Sequence, residues 1–101
     1  MSRARTLARM EHTVEHDTEG QRFVLPTEDG TAHLSYSMRD AATMVAASTY
    51  TPPEARGKGL AGIVTRAALD HARAQGWKVV PSCWYVDGWI TRNPAYEDLR
   101  A

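Results

Sequence analysis

Apolar and polar residues alternate strictly in one segment of the first half of the chain. Between residues 32 and 39, Ala, Leu, Tyr and Met occupy the even positions and polar residues occupy the odd ones. Alternation places successive side chains on opposite faces of a strand, so this segment predicts a strand with one face in the core. Residues 44–50 are more continuously apolar, which is typical of a central strand covered on both faces.

Two shorter β-rich runs precede the alternating segment. Residues 14–17 and 21–25 flank Glu19-Gly20, which predicts a tight hairpin turn, and residues 28–30 predict a second turn. We expect irregular backbone at the end of the second run, because Pro26 cannot donate a hydrogen bond to a neighbouring strand. The first half of the chain therefore predicts a meander of antiparallel strands.

The second half of the chain changes to helical spacing. Side chains recur at intervals of three and four, which predicts a helix with one stripe packed on the sheet. These residues are Leu60, Ile63, Val64, Ala67, Ala68, His71 and Ala72. Gly76 fits a left-handed cap at the end of this helix, and residues 78–80 begin the next strand.

The remaining residues predict a short closing element. Residues 84–92 fit a short helix with Trp84, Trp89 and Ile90 facing inward, and residues 94–99 fit a tail over the sheet. The predicted fold class is therefore α/β with a mixed sheet. Antiparallel strands are followed by a right-handed strand–loop–helix–strand unit and a short C-terminal helix.

Length and charge narrow the classes of function. With 101 residues, the chain has room for one modest core, and we expect a flexible arm over residues 1–11 and one domain over 12–101. The 12 basic and 12 acidic side chains cancel, so no global field favours nucleic acid or anionic lipid. No apolar run has the length of a membrane span. The single cysteine, Cys83, fits a reducing compartment.

These features lead us to expect a cytoplasmic protein, a monomer or weak homodimer, with no nucleic-acid or membrane partner. Arg3, Arg5 and Arg9 leave one alternative, a basic-armed adaptor for nucleic acid or protein. His12 and His16 are four residues apart, but their segment is predicted to be strand and loop, so we expect no metal site.

The main candidate for chemistry is the loop that opens the long helix. Gly57 and Gly59 allow backbone N–H groups to turn outward, and the first helical turn adds unpaired donors and a positive dipole end. Arg56 and Lys58 flank the bend and can neutralise a diphosphate. Gly57, Gly59 and Gly62 also spell G-x-G-x-x-G, but no acid follows the next strand, and the Walker spacing is absent. The loop predicts an anionic cofactor.

The remaining pattern resembles the pyrophosphate loop of the GNAT superfamily of N-acetyltransferases. Arg56, Gly59 and Ala61 match Arg-x-x-Gly-x-Ala, residues 52–54 precede them as Pro-Pro-Glu, and Cys83 follows the next predicted strand. With Arg92-Asn93-Pro94, this order resembles a short subfamily with a cysteine after its fifth strand, over nearly the whole chain. The resemblance implies acetyl-CoA as cofactor and an unidentified amine on a protein, a peptide or a small molecule as acceptor.

The resemblance also implies the positions of the site residues. The strands at 44–51 and 79–83 would splay apart and hold the pantetheine arm, and a backbone N–H within residues 48–50 would bind the thioester oxygen. The implied cofactor-binding residues are Thr49, Tyr50, Thr51, Arg56, Gly57, Lys58, Gly59, Leu60, Ala61, Gly62, Cys83 and Arg92. Tryptophans are expected in the core or at its rim, and one of them is a candidate to stack on adenine.

Three residues are implied in the chemistry. Cys83 would accept the acetyl group or protonate the departing thiolate, especially if a helix begins after it; the alternative is a small buried apolar residue. Tyr85, like Tyr96, is a candidate proton donor, or else a packed aromatic residue. Ser48 stands where the family often has a histidine as general base, and a serine hydroxyl cannot replace imidazole at neutral pH. This departure leaves a second function open, a weak or inactive module that binds acetyl-CoA or coenzyme A.

Two further histidines do not change this hypothesis. His33 is expected to face solvent on its strand, because it belongs to the polar set of the alternating segment. His71 falls near the apolar stripe of the long helix and is expected to be packed and hydrogen-bonded. Neither residue is predicted to be the general base.

Overall fold

The computed structural model describes residues 13–101, so the arm expected at residues 1–11 and the side chain of His12 lie outside the described part. A five-stranded sheet runs in chain order, antiparallel except for its last pair. Its strands are β1 (Glu15–Asp17), β2 (Arg22–Thr27), β3 (Gly30–Asp40), β4 (Thr43–Tyr50) and β5 (Lys78–Pro81). The predicted mixed α/β class is confirmed.

The helices follow β4 and β5. Helix α1 (Leu60–Gln75) connects the two parallel strands, and helix α2 (Trp84–Arg92) follows β5. Short 3₁₀ helices occupy Pro53–Ala55 and Pro94–Leu99. Among the described residues, no helix combines the length and hydropathy that a membrane crossing needs.

The expected irregularity at Pro26 is wrong. Strand β2 continues through Pro26, which lies opposite Thr31, and ends at Thr27. The physical reason is that β1 pairs with β2 only as far as Val24. Beyond that point β2 has a described strand on one side alone, so the missing N–H of Pro26 need not cost a ladder hydrogen bond.

The sheet has one face packed under both helices and one face over which no helix of the described residues lies. On the first, which we call the covered face, Phe23, Leu34, Tyr36, Met44 and Val79 join side chains of α1 and α2 in the main core. On the second, which we call the open face, none of the described strand residues is buried. Its residues include Arg22, Val24, His33, Ser35, Val45, Ser48, Tyr50 and Val80.

This arrangement corrects the expectation for β4. Met44 and Ala46 are buried, whereas Val45 is partly buried and Ala47 and Ser48 are exposed, so β4 is covered on one face only. A continuous apolar run fits a strand with two covered faces, but it cannot supply the second layer. Within residues 13–101 no element packs over the open face.

The helices confirm the predicted positions more closely than the predicted orientations. Gly76 ends α1 in the left-handed region with φ 76°, as expected. Thr65 and Leu69 are buried, while Ala67 and His71 are only partly buried, so the stripe is rotated from the predicted one. The rotation follows because α1 packs against α2 as well as the sheet.

The predicted inward position of Trp84 is wrong. Trp89 and Ile90 are buried as expected, but Trp84 is 83% exposed. Trp84 is the first residue of α2 and lies about 200° around the helix from the buried Val86. Its ring therefore points away from the core.

Candidate functional site

The site begins where β4 and β5 separate. Strand β5 pairs with β4 only from Thr43 to Ala46, and the backbone N–H of Cys83 then donates to the carbonyl of Ala46 at 3.0 Å. The chain turns into α2 at this point, while β4 continues to Tyr50. Beyond Ala46, the edge of β4 that faced β5 therefore meets no strand of residues 13–101, which leaves backbone groups available for a ligand.

A β-bulge shapes the free part of β4. Tyr36 pairs with Ala46 but Ser35 pairs with Ser48, so Ala47 is an extra residue on β4. After the bulge, Thr49 lies on the covered face opposite Leu34. Ser48 and its second neighbour along the strand, Tyr50, lie on the open face. The N–H donor predicted within residues 48–50 belongs to this segment and stays a prediction.

The glycine loop and the start of α1 follow at the same end of β4. Gly57 and Gly59 have positive φ angles of 84° and 76°, in the region that glycine occupies without strain. Gly59 is the N-cap of α1, and no side chain of the described residues caps the helix. The N–H groups of Leu60, Ala61 and Gly62 in the first turn therefore lack intrahelical partners, and the dipole favours an anion there.

The same loop has free space around it. A Cβ atom built on Gly57 or on Gly59 would meet no heavy atom of the rest of the described protein within 4 Å. A ligand group can therefore approach the backbone closely from this side.

The two basic residues of the loop already have partners. The Nε of Arg56 donates to the carbonyl of Thr51 at 3.0 Å. This hydrogen bond sets the orientation of the guanidinium, including its two terminal nitrogens. The ammonium of Lys58 donates to the carboxylate of Asp29, and this hydrogen bond raises the pKa of Lys58. Both residues are exposed, so an anion at the loop can compete for them.

The β2–β3 turn brings Asp29 to the loop. A Cβ on Gly30 would lie 2.8 Å from the side chain of Pro52, so the turn packs directly against the segment before the loop. Gly30 has φ 117°, which other residues rarely adopt. The contact between Lys58 and Asp29 thus depends on a glycine in the turn.

Cys83 lies across from β4 at the separation point. It is the N-cap of α2, which confirms the expectation that a helix begins directly after it. Its Sγ is 3.8 Å from the Oγ1 of Thr49, and the residue is 8% exposed. The hydroxyl and the thiol thus face each other across the gap between β4 and α2. The catalytic role of Cys83 stays a prediction.

Tyr85 lies beside α1. Its hydroxyl would be 3.4 Å from a Cβ on Gly62, and the guanidinium of Arg92 lies 5.9 Å from the centre of its ring. Arg92 therefore lies on α2 beside the start of α1, with the ring of Tyr85 between its guanidinium and Gly62. Its predicted role in binding the cofactor stays a prediction. Tyr96, the other candidate donor, is engaged elsewhere: its hydroxyl donates to Asp70 at 2.8 Å, and this bond raises its pKa.

One part of the site was not predicted from the sequence. A groove of about 270 Å³ between α1 and α2 is lined by Gly59, Gly62, Ile63, Arg66 and Trp89. The guanidinium of Arg66 lies 5.6 Å from the centre of the Trp89 ring. Arg66 follows Gly62 by four residues, so the helical spacing could have placed it beside the loop. For Trp89 on α2, no local spacing in the sequence indicates that it lies beside Arg66.

Comparison with known proteins decides the family. A family model described as GCN5-related N-acetyl-transferase matches residues 22–99. The chain belongs to the GCN5-related N-acetyltransferases. It is 29% identical over 83 residues to protein NATD1 of Xenopus tropicalis, covering 80% of this chain and 76% of the relative. Protein NATD1 of Homo sapiens is equally similar, with 74% of its length covered.

A solved structure supports the fold. The NMR structure of a GCN5-like protein from Staphylococcus aureus superimposes with a TM-score of 0.71. The match covers 90% of this chain and 89% of the Staphylococcus aureus chain at 18% sequence identity, so it bears on the fold alone. The predicted GNAT-like fold is confirmed, and acetyl transfer is the reaction class of the family.

GCN5-related N-acetyltransferases generally use acetyl-CoA, and the residues present fit its anionic part. The open space at Gly57 and Gly59 admits a phosphate to within hydrogen-bond reach of the backbone. The uncapped first turn of α1 supplies donors, and Arg56 and Lys58 supply positive charge. The chemistry of this donor set matches a diphosphate.

Proposed function

We propose that this chain is an acetyl-CoA-dependent N-acetyltransferase whose acceptor is an amine. One observation carries the proposal. The uncapped, glycine-opened start of α1 lies at the carboxyl end of β4, and β4 separates from β5 at the same end of the sheet. An anion site and a free strand edge therefore lie side by side, as a ligand with a diphosphate and an amide-containing arm requires.

The residues divide the work of binding. Backbone N–H groups of residues 60–62 hold the diphosphate, and Lys58 leaves Asp29 to neutralise it. The free edge of β4 beyond Ala46 pairs with the arm by backbone hydrogen bonds. When bound, acetyl-CoA supplies the thioester that acylates the amine. Thr49 and Cys83 lie where the arm would end.

The open face favours an accessible acceptor. No helix of the described residues covers Ser48 and Tyr50, so an amine on a protein or peptide surface can reach the end of β4 without entering a deep pocket. A small amine fits the same position. The proposal therefore concerns the amine group rather than the molecule that carries it.

Ligand-induced stabilisation tests cofactor binding. We expect acetyl-CoA and coenzyme A to raise the melting temperature, and ATP and NAD to raise it less or not at all, because a ligand that binds only the folded state stabilises it. Gly59→Trp should abolish the shift by filling the approach to the loop. The proposal is wrong if neither coenzyme A species stabilises the protein.

Gly76→Trp is a matched control. Gly59 and Gly76 both have φ 76°, and a Cβ at either would meet nothing within 4 Å. The two substitutions therefore impose the same backbone strain at opposite ends of α1. We expect both variants to lose stability, and only Gly59→Trp to lose the shift with acetyl-CoA.

A second candidate function is a binding module without transfer. The observation that favours it is Ser48, which lies exposed on the open face and cannot accept a proton from an amine at neutral pH. A protein that is stabilised by acetyl-CoA but acetylates no amine would support this function over the first.

Mass spectrometry of the intact protein tests Cys83. As a nucleophile, Cys83 would carry an acetyl group after incubation with acetyl-CoA, and Cys83→Ala would not. If the wild type stays unmodified and Cys83→Ala keeps full turnover, Cys83 is not the nucleophile, and burial between β4 and α2 is its role.

A further inference from the structure

The side from which an amine can reach the end of β4 is fixed by packing. On the covered face, the space next to Thr49 is filled by Leu34, Cys83 and neighbouring core side chains. On the open face, Ser48 and Tyr50 are exposed, and Tyr50 is 45% exposed. An acceptor therefore approaches from the open face.

An amine that approaches there needs a base. An alkyl ammonium has a pKa of about 10.4, so at neutral pH almost all of it is protonated and cannot attack a carbonyl. The hydroxyl of Ser48 cannot remove this proton efficiently. Of the histidines in the described part of the chain, His16 and His71 pack together with Phe23 over the covered face. The third is His33.

His33 lies on the open face beside the free end of β4. It pairs directly with Tyr50 across the β3–β4 ladder, and the two ring centres are 5.6 Å apart. Ser35 pairs with Ser48, so His33 and Ser48 are diagonal neighbours on the same face. The imidazole is partly buried, between Tyr50 on one side and Val24 of β2 on the other.

The surroundings of His33 keep its ring neutral. Partial burial lowers its pKa, and the positive charge of Arg22 on β2 lowers it further. Arg22 is itself held by Asp17 of β1 at 3.3 Å, which fixes the guanidinium on this face. The ring is flanked by Val24 on β2 and by Tyr50 on β4. A neutral imidazole is available at physiological pH to accept a proton.

We propose that His33 is the general base of the transfer reaction, acting from β3 on an amine that lies over Ser48 and Tyr50. This inference rests on the proposed function and adds the residue that accepts the proton. An imidazole nitrogen takes one proton from the ammonium, and the free nitrogen attacks the thioester carbonyl carbon. A C–N bond forms, the C–S bond breaks, and the thiolate takes the second proton of the nitrogen. The imidazolium releases its proton to solvent on the open face.

The pH dependence of kcat/KM tests the proposal. The probes are a lysine peptide with a blocked N-terminus, a peptide with a free N-terminus, and spermidine. With wild type, the rate should rise with pH and level off above the pKa of His33. With the lysine peptide or spermidine, His33→Gln should lose about 10²–10⁴-fold at pH 7. With the free N-terminus, whose pKa is about 7.7–8.0, the loss should be only about tenfold. The rate of the variant should keep rising about tenfold per pH unit toward the pKa of the amine and approach the wild-type rate there.

Two variants separate catalysis from structure. Ser48→His in the His33→Gln background places an imidazole at the diagonal position and should restore the levelling off. Arg39→Gln, an exposed change at the far end of β3, should leave the pH profile as in wild type. A His33→Gln enzyme with an unchanged profile would overturn the role of His33 alone. A wild type that acetylates none of the three amines would overturn the proposed function and this inference together.

A second readout does not depend on turnover. In the protein saturated with coenzyme A, adding the amine that reacts best should shift the NMR signals of the His33 ring and leave those of His71 unchanged. The acetyl-CoA thermal shift should be the same in His33→Gln and wild type. Unmoved His33 signals would show that the amine does not contact this residue.

Discussion

The two faces of the sheet are built from the same strands but differ in what covers them. Along β3, Leu34 is fully buried under the helices, whereas its neighbour Ser35 is partly exposed on the open face. Successive side chains of β3 therefore have different roles. One set forms the core, and the other set surrounds the proposed acceptor position. Substitutions at adjacent positions can therefore test each face separately.

The largest contrast is expected at the centre of β3. Leu34→Ala should lower the free energy of unfolding by about 2–5 kcal/mol, because it removes a large side chain from a packed core and leaves a cavity. Ser35→Ala should change it by less than about 0.5 kcal/mol. Urea unfolding measures both values. Equal losses would show that the open face is covered in solution.

The sequence predicts the elements well where the signal is local. The alternation from Ala32 to Met38 identifies β3, and the left-handed requirement at Gly76 ends α1 at the predicted residue. The glycine loop could also be predicted, because glycine is the residue that adopts positive φ angles without strain, as Gly57 and Gly59 do.

What the sequence could not give depends on contacts between distant segments. The apolar residues of β4 do not reveal that only one face is covered, since that depends on which elements pack over the sheet. The position of His33 beside Ser48 depends on the β3–β4 register, which a bulge at Ala47 shifts by one residue. From the sequence, His33 is therefore expected only on the solvent side of its strand and not as the general base.

A smaller contrast is expected for two tyrosines. Tyr36 on the covered face shares a hydrogen bond of 2.6 Å with the Nε2 of His16, whereas Tyr50 on the open face has its ring against His33. Tyr36→Phe should lower the free energy of unfolding by about 0.5–1.5 kcal/mol through the loss of this bond. Tyr50→Phe should be close to neutral for stability. If Tyr36→Phe leaves the free energy of unfolding unchanged, the hydrogen bond between Tyr36 and His16 does not stabilise the fold.

The smallest difference between the two faces is expected in how the free energy of unfolding changes as the pH is lowered. Burial lowers the pKa of His16, the charge of His71 lowers it further, and Asp17 partly opposes both. The folded state thus binds a proton less readily than the unfolded state, whose histidine has a pKa near 6.5. The contribution to stability is complete above that pH and is lost as the pH falls through 6.5 toward the folded pKa. The loss cannot exceed about 1.4 kcal/mol per pH unit for one proton.

His33 has a lowered pKa as well, so each face contributes one histidine to the acid sensitivity. His16→Gln and His33→Gln should each flatten the dependence of urea unfolding between pH 8 and pH 5. Only His16→Gln should also lower stability at pH 8, because it removes the ring stacked on Phe23 at 4.1 Å and the partner of Tyr36. If His33→Gln instead destabilises the protein at pH 8, the imidazole on the open face contributes to folding. The assignment of folding to the covered face alone would then be wrong at His33.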